Sequence, residues 1–177
     1  MKPIRPLKGY FGIGAEEISK AMNLGAILRT AHAFGASFAF TVNAHHKAQA
    51  VFDSDTSRSL KNVPYYGWDS IAEMRLPKGC ALVGIELTDD AVELPSFRHP
   101  RAAAYVLGRE RGSLSEEMQS LCDHIVRIPT KFCVNVSVAA AITLYDRTLA
   151  MGGYPERPVM PGGPDLAAIE AWDLKQH

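Results

Sequence analysis

The chain has little that would tie it to a membrane, an oxidising compartment or a metal. Its 177 residues include three cysteines, Cys80, Cys122 and Cys133, far apart and odd in number. That argues against a disulfide framework and fits a reducing cytoplasm. No apolar run approaches the roughly 20 residues needed to span a bilayer. The opening residues Met1-Lys2-Pro3-Ile4-Arg5-Pro6 lack a continuous apolar stretch, so a secretory signal is not expected. Net charge is absent too, since 19 Lys and Arg balance 19 Asp and Glu. A nucleic-acid binder often carries a positive excess, so contact with RNA would rest on local patches. One basic-rich span runs from Arg98 to Lys131, with Arg101, Arg109, Arg111 and Arg127 between them. Taken singly, each of these reads as solvated surface. There is no Walker-type phosphate loop. His45-His46 has no cysteine or carboxylate at ligand spacing, so no metal site is expected.

What is present is a globular composition, 47% hydrophobic and 21% charged. One domain with a real core is expected over residues 1–152. Strand patterns occur at Tyr10–Gly14, Ser37–Val42, Val63–Tyr66, Cys80–Leu87, Ala102–Leu107 and His124–Ile128. Helical spacing predicts a helix over Ala21–Phe34, through Leu24, Ile27, Leu28, Ala31 and Phe34, closed by Gly35. Further helices are expected over Ser54–Leu60 and over Asp69–Met74, the latter capped by Asp69. Ser113-Leu114-Ser115-Glu116 has the form of a capping box opening a helix to about Leu121. A last helix spans Val136–Met151, with Val138, Ile142, Tyr145 and Leu149 along one stripe. The alternation implies an α/β fold, a mainly parallel sheet covered by helices. Residues 153–177 differ. Pro155, Pro158, Pro161 and Pro164 recur every three residues and read as a linker, followed by a short amphipathic helix.

Two local patterns carry weak chemistry. Gly12-Ile13-Gly14-Ala15 is similar to part of a dinucleotide loop but lacks the third glycine and the later acidic residue. A nicotinamide-type oxidoreductase is the corresponding minor reading. Cys133, with Asp123 and His124 nearby in sequence, has the elements of a nucleophilic site, but a buried structural cysteine is commoner.

A stronger constellation is spread along the chain. Asn23 falls near the start of its helix, where its side-chain oxygen can cap free N–H groups. Arg29 lies two turns on, flanked by small residues Gly25, Ala26 and Ala33. A guanidinium suits phosphate recognition. Gly108 closes a strand, Gly112 permits a turn, and Glu110 lies between them. In an open parallel sheet, ligands bind at the carboxyl ends of strands, which is where Glu110 falls. Asn135 and Ser137 open the last helix. Each residue alone reads equally well as a cap or a solvated side chain.

Together, Asn23–Ala31, Leu107–Gly112 and Ile128–Ile142 resemble the three motifs of the SpoU (TrmH-type) RNA ribose methyltransferases, within the SPOUT superfamily. Val134-Asn135-Val136-Ser137-Val138-Ala139 is the most specific stretch. The resemblance covers residues 9–151. It implies a C-terminal trefoil knot, a homodimer, and S-adenosylmethionine as methyl donor. It implies transfer to a ribose 2′-hydroxyl of tRNA or rRNA. Arg29, Asn23, Glu110, Asn135 and Ser137 would form the catalytic cluster. Leu87, Gly108, Ile128, Cys133 and Val134 would hold the donor. One departure is Cys133-Val134, where the family commonly has Ser-Leu. A non-catalytic RNA-binding or ribosome-assembly protein on the same fold is the alternative reading.

Overall fold

A computed structural model describes residues 9–45, 61–110, 112–152 and 154. The expected helices at 54–60 and 165–175, and the proline-rich linker, lie outside the described residues. Strands β1 (Tyr10–Glu16), β2 (Phe38–Val42), β3 (Tyr65–Trp68), β4 (Ala81–Ile85), β5 (Val92–Glu93), β6 (Ala102–Leu107) and β7 (His124–Arg127) form one sheet. Its order is β3-β2-β1-β6-β4-β7-β5, and every pairing among the described residues is parallel. Helices α1 (Ala21–Ala33), α2 (Glu116–Leu121) and α3 (Val136–Ala150) complete the described elements with two short 3-10 turns.

Side chains alternate along each strand, and each sheet face has its own core. Phe11, Ile13, Ala15, Val83, Tyr105 and Leu107 point to the face covered by α1 and α3. Phe38, Phe40, Val42, Ala104 and Val106 point to the other, under Leu114 and Met118 of the α2 segment. Burial of each large side chain contributes about 1.5–3 kcal/mol. The parallel α/β reading thus holds, with helices on both faces. The strand order is consistent with the knotted path implied by the resemblance. No described helix is long and apolar enough to cross a membrane.

Gly12 and Gly14 do not form a loop. They are buried inside β1, directly opposite Phe38 and Phe40 of β2. A Cβ at Gly12 would overlap the Phe38 ring, and one at Gly14 the Phe40 carbonyl. The absent side chains make room for the neighbouring aromatics, which removes the basis for a dinucleotide site. Other expectations shift for local reasons. Strand β3 starts two residues later than expected, at Tyr65. Asp69 caps nothing; a single 3-10 turn over Ile71–Glu73 begins after Ser70. Ser115 rather than Ser113 caps α2, its hydroxyl accepting from the Met118 amide at 3.0 Å. The two-residue β5 was not anticipated, being too short to show periodicity. Gly35 does close α1, with φ +68°.

The core face of α3 is not its apolar stripe. Ala139, Ala140, Thr143, Leu144, Arg147 and Thr148 are buried, whereas Val138 and Tyr145 are exposed. Thr143 and Thr148 tolerate burial because each hydroxyl donates to a carbonyl one turn back, at 2.9 and 2.7 Å. Arg147 is fully buried and anchors α3 to the amino end of β6. It donates to the Pro100 and Arg101 carbonyls and lies over the Phe11 ring. It also donates to the Tyr105 hydroxyl at 3.0 Å. Tyr105 meets His99 Nδ1 at 2.6 Å, and His99 Nε2 meets Asp146 at 2.9 Å. A carboxylate accepts, so Nε2 carries the proton and Nδ1 accepts from Tyr105. Donation therefore runs one way, from Arg147 to Asp146. Burial pushes the Tyr105 hydroxyl up to about 12, which keeps its proton in place.

Two outcomes follow. Burial draws the His99 pKa below the usual 6.5, against the pull of Asp146. The unfolded chain then takes up the proton first, so stability falls as pH drops below that value. Imidazole NMR should show a His99 midpoint under 6.5, and a higher one would refute the neutral assignment. Ala140 is fully buried on α3, in the core cluster that also holds Leu24, Ile27, Leu28 and Ala31 of α1. Ala140→Leu should cost about 1–3 kcal/mol by overpacking. An unchanged melting temperature would show that the contact is loose.

Candidate active site

Because the strands are parallel, β1, β4, β6 and β7 end on one edge of the sheet. Their following loops bring distant residues together there. Glu110, three residues beyond β6, turns its carboxylate to the start of α1. It accepts from the Ser19 hydroxyl at 2.9 Å and the Lys20 amide at 2.9 Å. It also accepts from the Ser19 amide and from Asn23 Nδ2 at 3.1 Å. Glu110 thus holds the amides of Ser19 and Lys20, the two residues just ahead of α1. Asn23 is not the cap: Lys20 holds that position, without a side-chain bond. Asn23 is buried instead, one face toward Glu110 and the other toward Asn135.

Asn135 Nδ2 donates to Asn23 Oδ1 at 3.3 Å. Asn135 Oδ1 then accepts from the Ser137 amide at 2.8 Å and hydroxyl at 2.7 Å. Asn135 is the N-cap of α3. A carboxylate can only accept, which fixes the orientation of each amide in turn. Asn23 must present its NH2 to Glu110 and its carbonyl to Asn135, which leaves the Asn135 carbonyl for α3. Partial burial raises the Glu110 pKa, but hydrogen bonds from its own amide, Lys20, Asn23 and Ser19 outweigh it. The net shift is downward, so Glu110 is ionised at neutral pH and a poor proton acceptor.

Beside this chain lies a cavity of about 370 Å³. Leu87, Gly108, Ile128, Cys133 and Val134 all line it, with Ile85, Leu107 and Ala139 adding apolar wall. Glu110 lines it too and links it to the hydrogen-bonded chain. Gly108 admits no side chain, since a Cβ would approach the Leu114 amide nitrogen to 2.9 Å. The rim over 112–115 is held by two carboxylates that the sequence reading missed. Glu86 accepts from the Leu114 amide at 2.7 Å. Buried Glu16 accepts from the Ser115 amide at 2.8 Å and hydroxyl at 2.6 Å. Their signal was available, as both are acidic residues at the carboxyl ends of strands.

Arg29 is not brought to this cavity. Six residues beyond Asn23, it is turned about 240° around α1 and about 9 Å along it. It is exposed, on the side that carries the exposed Met22. The Cys133 nucleophile reading also fails on placement. Asp123 and His124 stand at the start of β7 and Cys133 beyond its end. Asp123 accepts from the Leu82 amide and His124 packs against Phe97, whereas Cys133 lines the cavity.

The sequence model of the SpoU rRNA Methylase family matches residues 11–145. The chain belongs to that family. It is 29% identical over 138 residues to the tRNA (guanosine(18)-2′-O)-methyltransferase of Escherichia coli, covering 74% of this chain and 59% of that one. It is 34% identical over 134 residues to the 23S rRNA (guanosine-2′-O-)-methyltransferase RlmB of Nitrosomonas europaea, covering 70% and 50%. Among solved structures, the SpoU methyltransferase AviRb from Streptomyces viridochromogenes, in complex with the cofactor AdoMet, superposes with a TM-score of 0.69. That likeness has 24% identity and covers 84% of this chain and 59% of that one. The chain spans about half to three fifths of the length of the curated relatives named here.

Glu110→Gln tests the polarity argument. An amide can turn either face to Asn23, so the fixed orientation is lost. Loss of hydrogen bonds to a charged group corresponds to about 1.5–3 kcal/mol. Glu110→Gln should therefore lower stability by about 1.5–3 kcal/mol with the fold retained. An unchanged melting temperature would show that the carboxylate holds nothing in place.

Proposed function

We propose that this chain transfers a methyl group from S-adenosylmethionine to a ribose 2′-hydroxyl of tRNA or rRNA. The observation that carries this reading is the contiguity of an apolar cavity with the Glu110–Asn23–Asn135–Ser137 chain at the switch point of a parallel sheet. The cavity fits the donor. Its volume lies in the range of small-ligand sites, about 300–1,000 Å³. Its apolar walls suit a flat base, and Leu87, Gly108, Ile128, Cys133 and Val134 line it. S-adenosylmethionine supplies an activated methyl group whose departure leaves a neutral thioether.

The protein's own residues orient rather than deprotonate. Asn23, Asn135 and Ser137 offer a rigid neutral array, and Glu110 holds that array without acting as a base. The hydroxyl proton passes to solvent as the new O–CH3 bond forms. Arginine resists deprotonation, so Arg29 is better suited to gripping the ribose and adjacent phosphate. Its position outside the cavity of its own chain favours supply from a second copy. The exposed stripe of Val138 and Tyr145 on α3, with Met22 on α1, offers an apolar face for such a homodimer. In this reading the RNA lies across pooled basic patches of two neutral chains.

Incubation with labelled S-adenosylmethionine and total RNA should place label in 2′-O-methyl nucleosides. Arg29→Ala should reduce incorporation at least 10-fold while donor binding persists. Donor binding without incorporation into any RNA pool would overturn the reading and favour a non-catalytic RNA-binding role.

A further inference from the structure

The sheet face opposite α1 and α3 carries a stripe of aromatic rings across β1, β2 and β3. Phe38 and Phe40 are buried at its base, where Gly12 and Gly14 leave room for them. Tyr10 and Tyr66 stand beside them, 42% and 48% exposed. Ring contacts join the set. Tyr10 stacks on Phe38 with centroids 5.3 Å apart, and Phe40 meets Trp68 at 5.7 Å. Tyr66 and Trp68 lie 6.0 Å apart, with planes only 9° from parallel. Two large rings left about half in water add less to the core than full burial would, so packing alone does not account for them.

The rings and the segment Arg75-Leu76-Pro77 together line a cleft of about 270 Å³. The Arg75 guanidinium is held in place: Nη1 donates to the Ala72 carbonyl at 2.7 Å and the Met74 carbonyl at 2.9 Å. Lys78 is exposed three residues on. Of the acids nearby in sequence, Asp69 and Glu73, Glu73 turns back to accept from the Asp69 amide at 3.3 Å. At its other end the stripe reaches the carboxyl edge of the sheet. The Trp68 carbonyl accepts from the Asn43 amide at 2.8 Å. Asn43 lines an open groove that shares Glu110 with the apolar cavity.

A platform of flat rings beside a fixed cation suits an unpaired nucleotide. Every base has a π-face that can stack on an aromatic ring, and its phosphate carries the charge that a guanidinium meets. Paired bases hide their faces within the duplex, so only a single strand offers them. Proline-rich peptides also lie on aromatic grooves, but they bring no anion for Arg75. The stripe faces away from α1 and α3, so the homodimer proposed through those helices does not use it. We propose that the stripe binds unpaired nucleotides flanking the methylated one, with their bases stacked on Tyr66, Trp68 and Tyr10 and a phosphate at Arg75. The inference rests on the methyltransferase reading for its choice of RNA, and adds where and in what state the strand is held.

Fluorescence anisotropy without methyl donor tests it, using labelled oligouridylate of about 12 nucleotides, a length within the range of single-strand sites. The controls are an abasic strand of the same length and a blunt RNA duplex. Tyr66→Leu keeps an apolar side chain but removes the ring. It should weaken oligouridylate binding by about 5- to 150-fold and leave the abasic strand and the duplex unchanged, while Tyr66→Phe binds like wild type. Equal binding of oligouridylate and abasic strand by wild type, unchanged affinity in Tyr66→Leu, or an equal loss on duplex would each overturn the platform. If Tyr66→Leu does not fold, ultraviolet crosslinking of the wild-type chain to oligouridylate decides. Adducts at Tyr10, Tyr66 or Trp68 uphold the platform, and adducts only elsewhere overturn it. Methyl transfer to total RNA without binding at the stripe overturns the stripe alone. Binding at the stripe without methyl transfer overturns the activity reading alone.

Discussion

Glu110 carries a constraint that reaches most of the carboxyl edge of the sheet. Its carboxylate binds the backbone amides of Ser19 and Lys20 just ahead of α1 and the Asn23 side-chain amide, and Asn23 passes the same polarity to Asn135 and the start of α3. Three loops, after β1, β6 and β7, are thereby fixed to one charged group. Because that group only accepts, the arrangement has a single consistent direction. An amide or a neutral acid in its place would leave the orientation of two asparagines undetermined. The lowered Glu110 pKa has the same origin, since the bonds that set the direction also stabilise the anion.

The opposite end of the sheet solves a related problem differently. Arg147 is a buried cation with carbonyls, a hydroxyl and two aromatic faces around it. Among the described residues no carboxylate touches it directly. Its donation is relayed through Tyr105 and His99 to Asp146, which is partly exposed. The final helix is thus tied to the sheet at both ends, through Asn135 near the cavity and through Arg147 away from it. Between those ends it is packed into the core through Ala139, Ala140, Thr143 and Leu144.

Legibility in the sequence followed the range of the forces involved. Period-two and helical patterns located β1, α1, β2, β6, β7 and α3 because burial is periodic. Gly12 and Gly14 were misleading because a cross-strand partner, Phe38 or Phe40, is invisible without register. The apolar stripe of α3 misled in the opposite sense. Val138 and Tyr145 are outward, and polar Thr143, Arg147 and Thr148 are inward, because hydroxyl back-bonding and aromatic faces satisfy them. Asn23 was legible as a polar interruption but not as a link, since its partners lie 87 and 112 residues away. Glu16 and Glu86 are legible by position alone, as acidic residues at strand ends, because a carboxylate that satisfies backbone amides leaves no motif.

The arrangement of charge around the cavity also bears on how a neutral chain would meet the RNA of the proposed reading. Around the cavity, acidic side chains are committed: Glu110 to α1, Glu16 and Glu86 to the rim, and Glu17 to Arg109. Arg29 has no such commitment among the described residues and stands on an exposed helical face. A zero net charge therefore hides an uneven distribution, in which the carboxylates beside the cavity are used internally and Arg29 stays at the surface. In the proposed homodimer, joining two copies would add the second Arg29 without changing the net charge of either. RNA affinity would then depend on assembly more than on composition, and it should weaken steeply with salt even though the chain is neutral overall.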